Sequence, residues 1–410
     1  MYEESIRTRS FEHSLLWWLA AGVCITMIWM PIVNAVMCIG FLLFSAYYCR
    51  FRFKAPDVLL FLLFISCYLF AAASFFYSYN RSEALRILQL KLPLLLFPLG
   101  FSSGIKWSKA EIAKLLRLFS LSVGLFCLFT IINAVFLAAD SGNTDALFGY
   151  RIIPFSYVYA SVVSLFCVFG VIVEMSTWAI HKKVRSEQLI LIALFCTTLI
   201  LLSNRMGVFL CLIITLFFLV RMVRSAWVKL VIVLSIIISS VGLYSWNQTL
   251  REKVQAIVHF NKATMIPLDR DASLGRTWDG FQLRLAIWNC AAGVINKNFW
   301  SGVGVGDGQA TLQTAYEERK FYFASRHNTY NAHNQFLEQW LLTGIAGFFL
   351  FTVSLVVSLV YSFRSGSFLY TLFLIIFICF CVTESLLEVS KGVVWFSFFN
   401  AMFAFAQQRE

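Results

Sequence analysis

Apolar runs of 18 or more residues recur along the chain, separated by short polar breaks. They do not alternate: residues 58–76 read VLLFLLFISCYLFAAASFF. A membrane-spanning strand would alternate apolar and polar over roughly ten residues. A spanning helix instead needs about 20 mostly apolar residues. The pattern predicts an all-α polytopic membrane protein. Twelve spans are expected, near 15–30, 32–49, 58–78, 84–104, 119–139, 157–180, 189–203, 206–223, 228–246, 335–363, 368–386 and 391–407. An even number puts both termini on one side. The expected organisation is a first bundle of nine spans over 1–246, a long loop with catalytic elements over 247–334, and three further spans over 335–410.

Charge sets the orientation. The segments on the side of the termini hold 17 Lys and Arg, whereas the short loops opposite hold only Arg81, Arg151, Arg205 and Lys391. Basic residues concentrate on cytoplasmic loops, so both termini are expected in the cytoplasm and the 247–334 loop outside. In a bacterium that is the periplasmic face of the inner membrane. Composition agrees: 60% of residues are hydrophobic and 13% charged, against about 25% charged in soluble domains. A soluble enzyme, a nuclear protein and a disordered chain are excluded. The net charge of +12 then reads as positive-inside loops and contact with anionic lipid or substrate, with no nucleic acid expected. Residues 1–14 are polar and lead into the first span without a small-residue cleavage site, so no cleaved signal peptide is expected.

Ten of the eleven cysteines fall in or at the ends of apolar spans, and Cys290 falls in the long loop. All read as small buried hydrophobes. The five histidines are scattered, without HxH or HExxH, so no metal and no cofactor are expected. The long loop has some order of its own. Leu283, Ile287, Ala291 and Val294 form a helical apolar stripe within 281–296, and 301–308 (SGVGVGDG) is a glycine-rich turn.

Polar groups at the outer face of an apolar bundle are where chemistry is expected. His333, in NTYNAHNQFLEQW (328–340), lies near the start of the tenth span. A helix N-terminus disfavours a protonated imidazole, and a neutral His is what a general base requires. A capping or interfacial role fits the same spacing, and His327 is a second candidate. Arg205 occupies a tight outer turn, where it either serves an anion or snorkels to lipid headgroups. Arg284 lies on the loop helix, five residues after Asp279. That is the wrong spacing for a helical ion pair, so Asp279 reads as a helix cap and Arg284 as either solvated or substrate-facing. Two arginines facing one site suit a diphosphate. The GVGVGDG spacing is not a dinucleotide fingerprint; it reads as a turn that lets backbone come close to something. Glu384 and Glu388 read as a proton relay, or as caps or partners of a cation such as Lys391.

Three of these elements resemble the bacterial O-antigen ligase and polymerase superfamily. They are Ser203-Asn204-Arg205-Met206-Gly207, then Arg284-Leu285-Ala286-Ile287-Trp288 leading to Gly302-Val303-Gly304-Val305-Gly306, and finally Ala332-His333-Asn334-Gln335-Phe336-Leu337-Glu338. Asn204 stands where the family more often has Ser, and Ala332 where some members have Pro or His. The resemblance implies a metal-independent, nucleotide-independent transferase that moves a glycan from undecaprenyl diphosphate with inversion. The acceptor is a lipid A–core hydroxyl in ligases and a lipid-linked glycan in polymerases; a related transferase to protein is a further possibility. It implies His333 as general base and Arg205 and Arg284 on the diphosphate, and leaves His327 without a clear counterpart; Arg151, His327, Asn334, Gly304 and Gly306 are further candidates for substrate contact. A twelve-span transporter or flippase is the rival class. Against it stand the lack of an evident repeat and the clustering of candidate residues around one outer loop.

Overall fold

The structure, a computed structural model, describes residues 2–48, 57–102, 104–182, 184–222, 225, 227, 280–327 and 329–406. Among the described residues the regular elements are all helices, without a sheet. The helices are α1 (Tyr2–Thr26), α2 (Pro31–Tyr48), α3 (Val58–Ser74), α4 (Arg81–Lys91), α5 (Pro93–Phe101), α6 (Lys109–Ser141), α7 (Ala160–His181), α8 (Ser186–Leu201) and α9 (Arg205–Met222). After the long loop's first part come α10 (Gly280–Lys297), α11 (Gly308–Glu318), α12 (Gln335–Arg364), α13 (Phe368–Thr383) and α14 (Ser390–Ala401). The expected ninth span, 228–246, lies outside the described residues, as do Asp279, Cys49 and residues 247–278.

Among the described residues, six stretches are long and apolar enough to cross a membrane: Pro31–Tyr48, Arg81–Phe101, Lys109–Ser141, Ala160–His181, Arg205–Met222 and Gln335–Arg364. Val58–Ser74, Ser186–Leu201 and Phe368–Thr383 are shorter apolar helices. This is a multi-pass membrane protein.

The helix ends follow from local chemistry. Asp57 caps α3 through the Leu60 amide, and Asn80 caps α4 through Glu83. Ser108 and Glu111 form a reciprocal capping box that starts α6 ten residues before the expected span. Pro93 has no N–H to donate, so the fourth apolar run divides into α4 and α5. α3 ends at Ser74 because residues 77–80 turn to meet the glycine-rich segment. There Tyr77 donates its hydroxyl to the Ser301 carbonyl, and the Tyr79 and Asn80 amides donate to Asp307.

At the centre, α7 is buried at every position from Val162 to Met175, and α14 from Lys391 to Ala401. Aromatic rings join them to α13: Phe373 lies 4.6 Å from Trp395 and Phe377 lies 3.8 Å from Phe396. A second apolar cluster lies where the loop helices meet α4, the C-terminal end of α3 and the N-terminal part of α12. Ile287, Ala291 and Val294 are buried in it, with Leu283 packed alongside. Burying an Ile or Val side chain from water stabilises by roughly 1.5–3 kcal/mol, so this cluster is enough to seat α10 and α11 on the bundle. α12 departs from helical geometry at Gly344 (φ 68°), where a side chain would strike the Trp300 carbonyl. The amides of Val303 and Gly304 donate to the carbonyls of Leu341 and Leu342 across this kink.

Candidate active site

α8 and α9 are joined by only three residues, Leu202, Ser203 and Asn204. Ser203 takes φ 53° to make the reversal, and the Asn204 side chain accepts from the Gly207 amide. Arg205 is thereby the first residue of α9, exposed at its mouth. The Gly149 amide donates to the Leu201 carbonyl, so the short turn carrying Arg151 is tied to this hairpin.

Arg284 lies one turn into α10. Its guanidinium donates Nη1 to the Gly280 carbonyl at 3.1 Å, Nε to the Thr383 carbonyl at 3.0 Å and Nη2 to Glu384 Oε1 at 2.6 Å. It is therefore not freely solvated, and its acidic partner lies outside its own helix, 100 residues along the chain. The other oxygen of that carboxylate, Glu384 Oε2, lies 3.2 Å from His333 Nδ1. Glu384 follows the last residue of α13, outside the helix, and only 15% of its side chain is exposed. Burial pushes its carboxyl up, but the hydrogen bonds and charges of His333 and Arg284 outweigh that and hold it below the usual carboxylate value.

His333 sits just before α12 with φ 44°. Its amide donates to Asn331 Oδ1, and its ring meets Tyr330 edge-on at 5.2 Å. In the tautomer that donates Nδ1–H to Glu384, the Nε2 lone pair is available as a base.

Arg151, Arg205, Arg284, His333 and Glu384 line one cavity of about 1090 Å³, together with the 149–161 loop, residues 202–206 and the start of α10. It presents three guanidinium groups and one carboxylate-bound imidazole. A smaller groove of about 410 Å³ between α9 and α13 is almost wholly apolar. The larger cavity, with its arginines and imidazole, suits an anionic leaving group beside a hydroxyl that must lose its proton.

Residues 190–352 match the family model described as O-antigen ligase. This segment resembles an O-antigen ligase domain. The match makes this segment similar to the O-antigen ligase family and supports a membrane enzyme of the ligase and polymerase kind. No curated protein matches the chain. Arg205, Arg284 and His333 lie inside the matched segment, whereas Arg151 and Glu384 lie outside it.

Other sequence candidates stand apart from the cavity lining. Asn334 caps α12, its side chain accepting from the amides of Phe336 and Leu337. Gly304 and Gly306 are buried against Ser78, Asn80 and Ala84, where an added Cβ would come within 2.4 Å of Ser78 Oγ and 2.2 Å of the Asn80 carbonyl. The backbone they let approach is the protein's own. His327 ends the turn Phe323–His327, and its side chain lies outside the described residues. The expected Lys391 partnership is corrected. Lys391 donates to the carbonyls of Met27, Ile28 and Trp29 beyond α1, while Glu388 pairs with Lys91 at 2.5 Å. Glu384 had no local sequence signal tying it to His333 or Arg284; an acid at the outer end of a span was the only hint.

Proposed function

We propose that this ligase-family enzyme transfers O-antigen polysaccharide from undecaprenyl diphosphate to a lipid A–core hydroxyl. The observation that carries the reading is the meeting of Arg205, Arg284 and His333 on one cavity, with Glu384 bonded to the last two. In this reading the acceptor hydroxyl gives its proton to His333 Nε2 as its oxygen bonds to the anomeric carbon. The bond from that carbon to the phosphate oxygen breaks, and undecaprenyl diphosphate leaves with the electron pair. Attack from the side opposite the leaving group inverts the centre. Glu384 holds the imidazole's tautomer and balances the charge it gains. Arg205 and Arg284 stabilise the charge developing on the diphosphate, and Arg151 extends the same basic rim.

The fold proposed for this function has twelve spans, both termini in the cytoplasm and the cavity at the periplasmic face, within the 247–334 loop and its neighbours. Membrane lipid surrounds it, and neither metal nor nucleotide takes part. A transfer assay on purified protein with lipid-linked glycan tests the reading. Product on lipid A–core, undiminished by chelator, is expected. Product only on a second lipid-linked glycan would make the enzyme a polymerase. No transfer to either acceptor would remove the ligase and polymerase readings and return the transporter or a transferase to protein.

A further inference from the structure

His333 is held in a conformation that it would not choose alone, and one of the residues that hold it is the chain neighbour of Glu384. A left-handed backbone costs a non-glycine residue free energy and persists only where the surroundings over-determine it. The surroundings of His333 form a closed set of hydrogen bonds. The Ala332 amide, just before it, donates to Glu338 Oε2 at 2.8 Å. The Asn334 amide, just after it, donates to Ser385 Oγ at 3.2 Å. Ser385 then donates its hydroxyl to Glu338 Oε2 at 3.2 Å, closing the ring. Ser385 is the residue next to Glu384, the partner of the imidazole. All four members of the ring are buried. A second tie fixes the same loop: Gln335 Oε1 accepts from the Leu387 amide at 2.7 Å.

We propose that Ser385 and Glu338 are positioning residues that register His333 against Glu384. The proposal rests on the reading of His333 as the general base. A buried carboxylate is costly in an apolar bundle unless its hydrogen bonds are made. Both hydrogen bonds of Glu338 belong to this ring, so its place in the fold is explained by the ring. Without Ser385 the amide of Asn334 loses its acceptor, and the loops at 331–334 and 384–388 lose one direct tie.

The test uses the full chain in lipid, with lipid-linked glycan as donor and lipid A–core as acceptor. Ser385→Ala and Glu338→Leu are expected to lower kcat about ten- to hundredfold, as misplacement of a reacting group does, while KM for the donor stays within about twofold. Ser385→Thr keeps the hydroxyl and is expected to restore most of the rate. Glu338→Gln keeps an oxygen that accepts both hydrogen bonds, and it too is expected to stay close to wild type. A merely structural role would lower the yield of folded protein and leave kcat per folded molecule alone. Amide exchange over 331–338 gives a readout independent of transfer. Exchange of the Asn334 amide is expected to quicken in Ser385→Ala, and unchanged protection there would overturn the proposal. Unchanged kcat in both disruptive variants, or equal loss in Glu338→Gln and Glu338→Leu, would overturn it as well. His333→Ala, assayed alongside, separates the two ideas. Normal turnover in that variant removes the base assignment itself, whereas an inactive His333→Ala beside a fully active Ser385→Ala removes only the ring's role.

Discussion

Two short segments flank the start of α12, and both leave the usual backbone regions. The glycine-rich turn 301–308 does so at Gly302 (φ 68°) and Gly304 (φ 90°), and the loop before α12 does so at Thr329 (φ 45°) and His333 (φ 44°). In the first, glycine adopts the left-handed region at no steric cost, and the gain is close packing of backbone on backbone. In the second, a histidine adopts it at roughly 1–2 kcal/mol. That strain is held by hydrogen bonds to buried side chains, and it aims an imidazole at a carboxylate. Glycine marks where the molecule approaches itself, and the strained histidine marks where it faces a cavity. The two segments should therefore fail differently when altered.

The largest effect is expected at His333. His333→Ala should insert and fold normally and lose roughly 10²–10⁴-fold in transfer, the range for removal of a general base. Near wild-type turnover in folded protein would break the contrast between the two segments. Next come the arginines. Arg284→Lys and Arg205→Lys keep the charge and lose the planar fork. Each is expected to lower transfer by more than about tenfold, whereas an exposed surface arginine would lose less than about 1 kcal/mol, under tenfold. Arg284→Lys also gives up the guanidinium that joins Glu384 to the Thr383 carbonyl, so it should be the more damaging. A loss below threefold at both would leave only a general basic field at the cavity.

The smallest effect on chemistry is expected in the glycine-rich turn. A Cβ on Gly302 would lie 2.6 Å from the Gly344 amide nitrogen and 2.7 Å from the Leu341 carbonyl oxygen, neither of which can rotate away. Gly302→Ala should reduce thermal stability and the yield of inserted protein, while the fraction that folds turns over normally. Gly366 (φ 67°), with nothing within 4 Å of its would-be Cβ, gives the control. Gly366→Ala carries only the backbone cost of about 1–2 kcal/mol. Equal losses of stability at the two positions would show that the close approach at Gly302 contributes little.

The sequence patterns account for the helices better than for the site. Apolar runs mark elements because a spanning helix must satisfy its backbone internally and expose apolar side chains to lipid. Their ends were less legible. The expected 58–78 run stops at Ser74 because residues 77–80 bond to Ser301 and Asp307, more than 220 residues away. The 84–104 run breaks at a proline that the hydropathy pattern passes over. His333 and Arg205 were visible as polar residues at span ends and Arg284 as one on the loop helix, yet nothing local says that they share a cavity. Glu384 shows the limit most plainly. Its two partners lie 51 and 100 residues before it, so no periodicity links them. Gly304 and Gly306 show the converse: spacing announces a close approach without saying whether the neighbour is a ligand or the chain itself.

An experimental structure with undecaprenyl diphosphate bound tests the central claim most directly. The diphosphate is expected between Arg205 and Arg284, inside the cavity walled by 149–161 and 202–206, with His333 Nε2 facing the position of the departing sugar carbon. A diphosphate bound away from both arginines, or both arginines turned from a diphosphate within the cavity, would contradict the assignment of this cavity as the site of transfer.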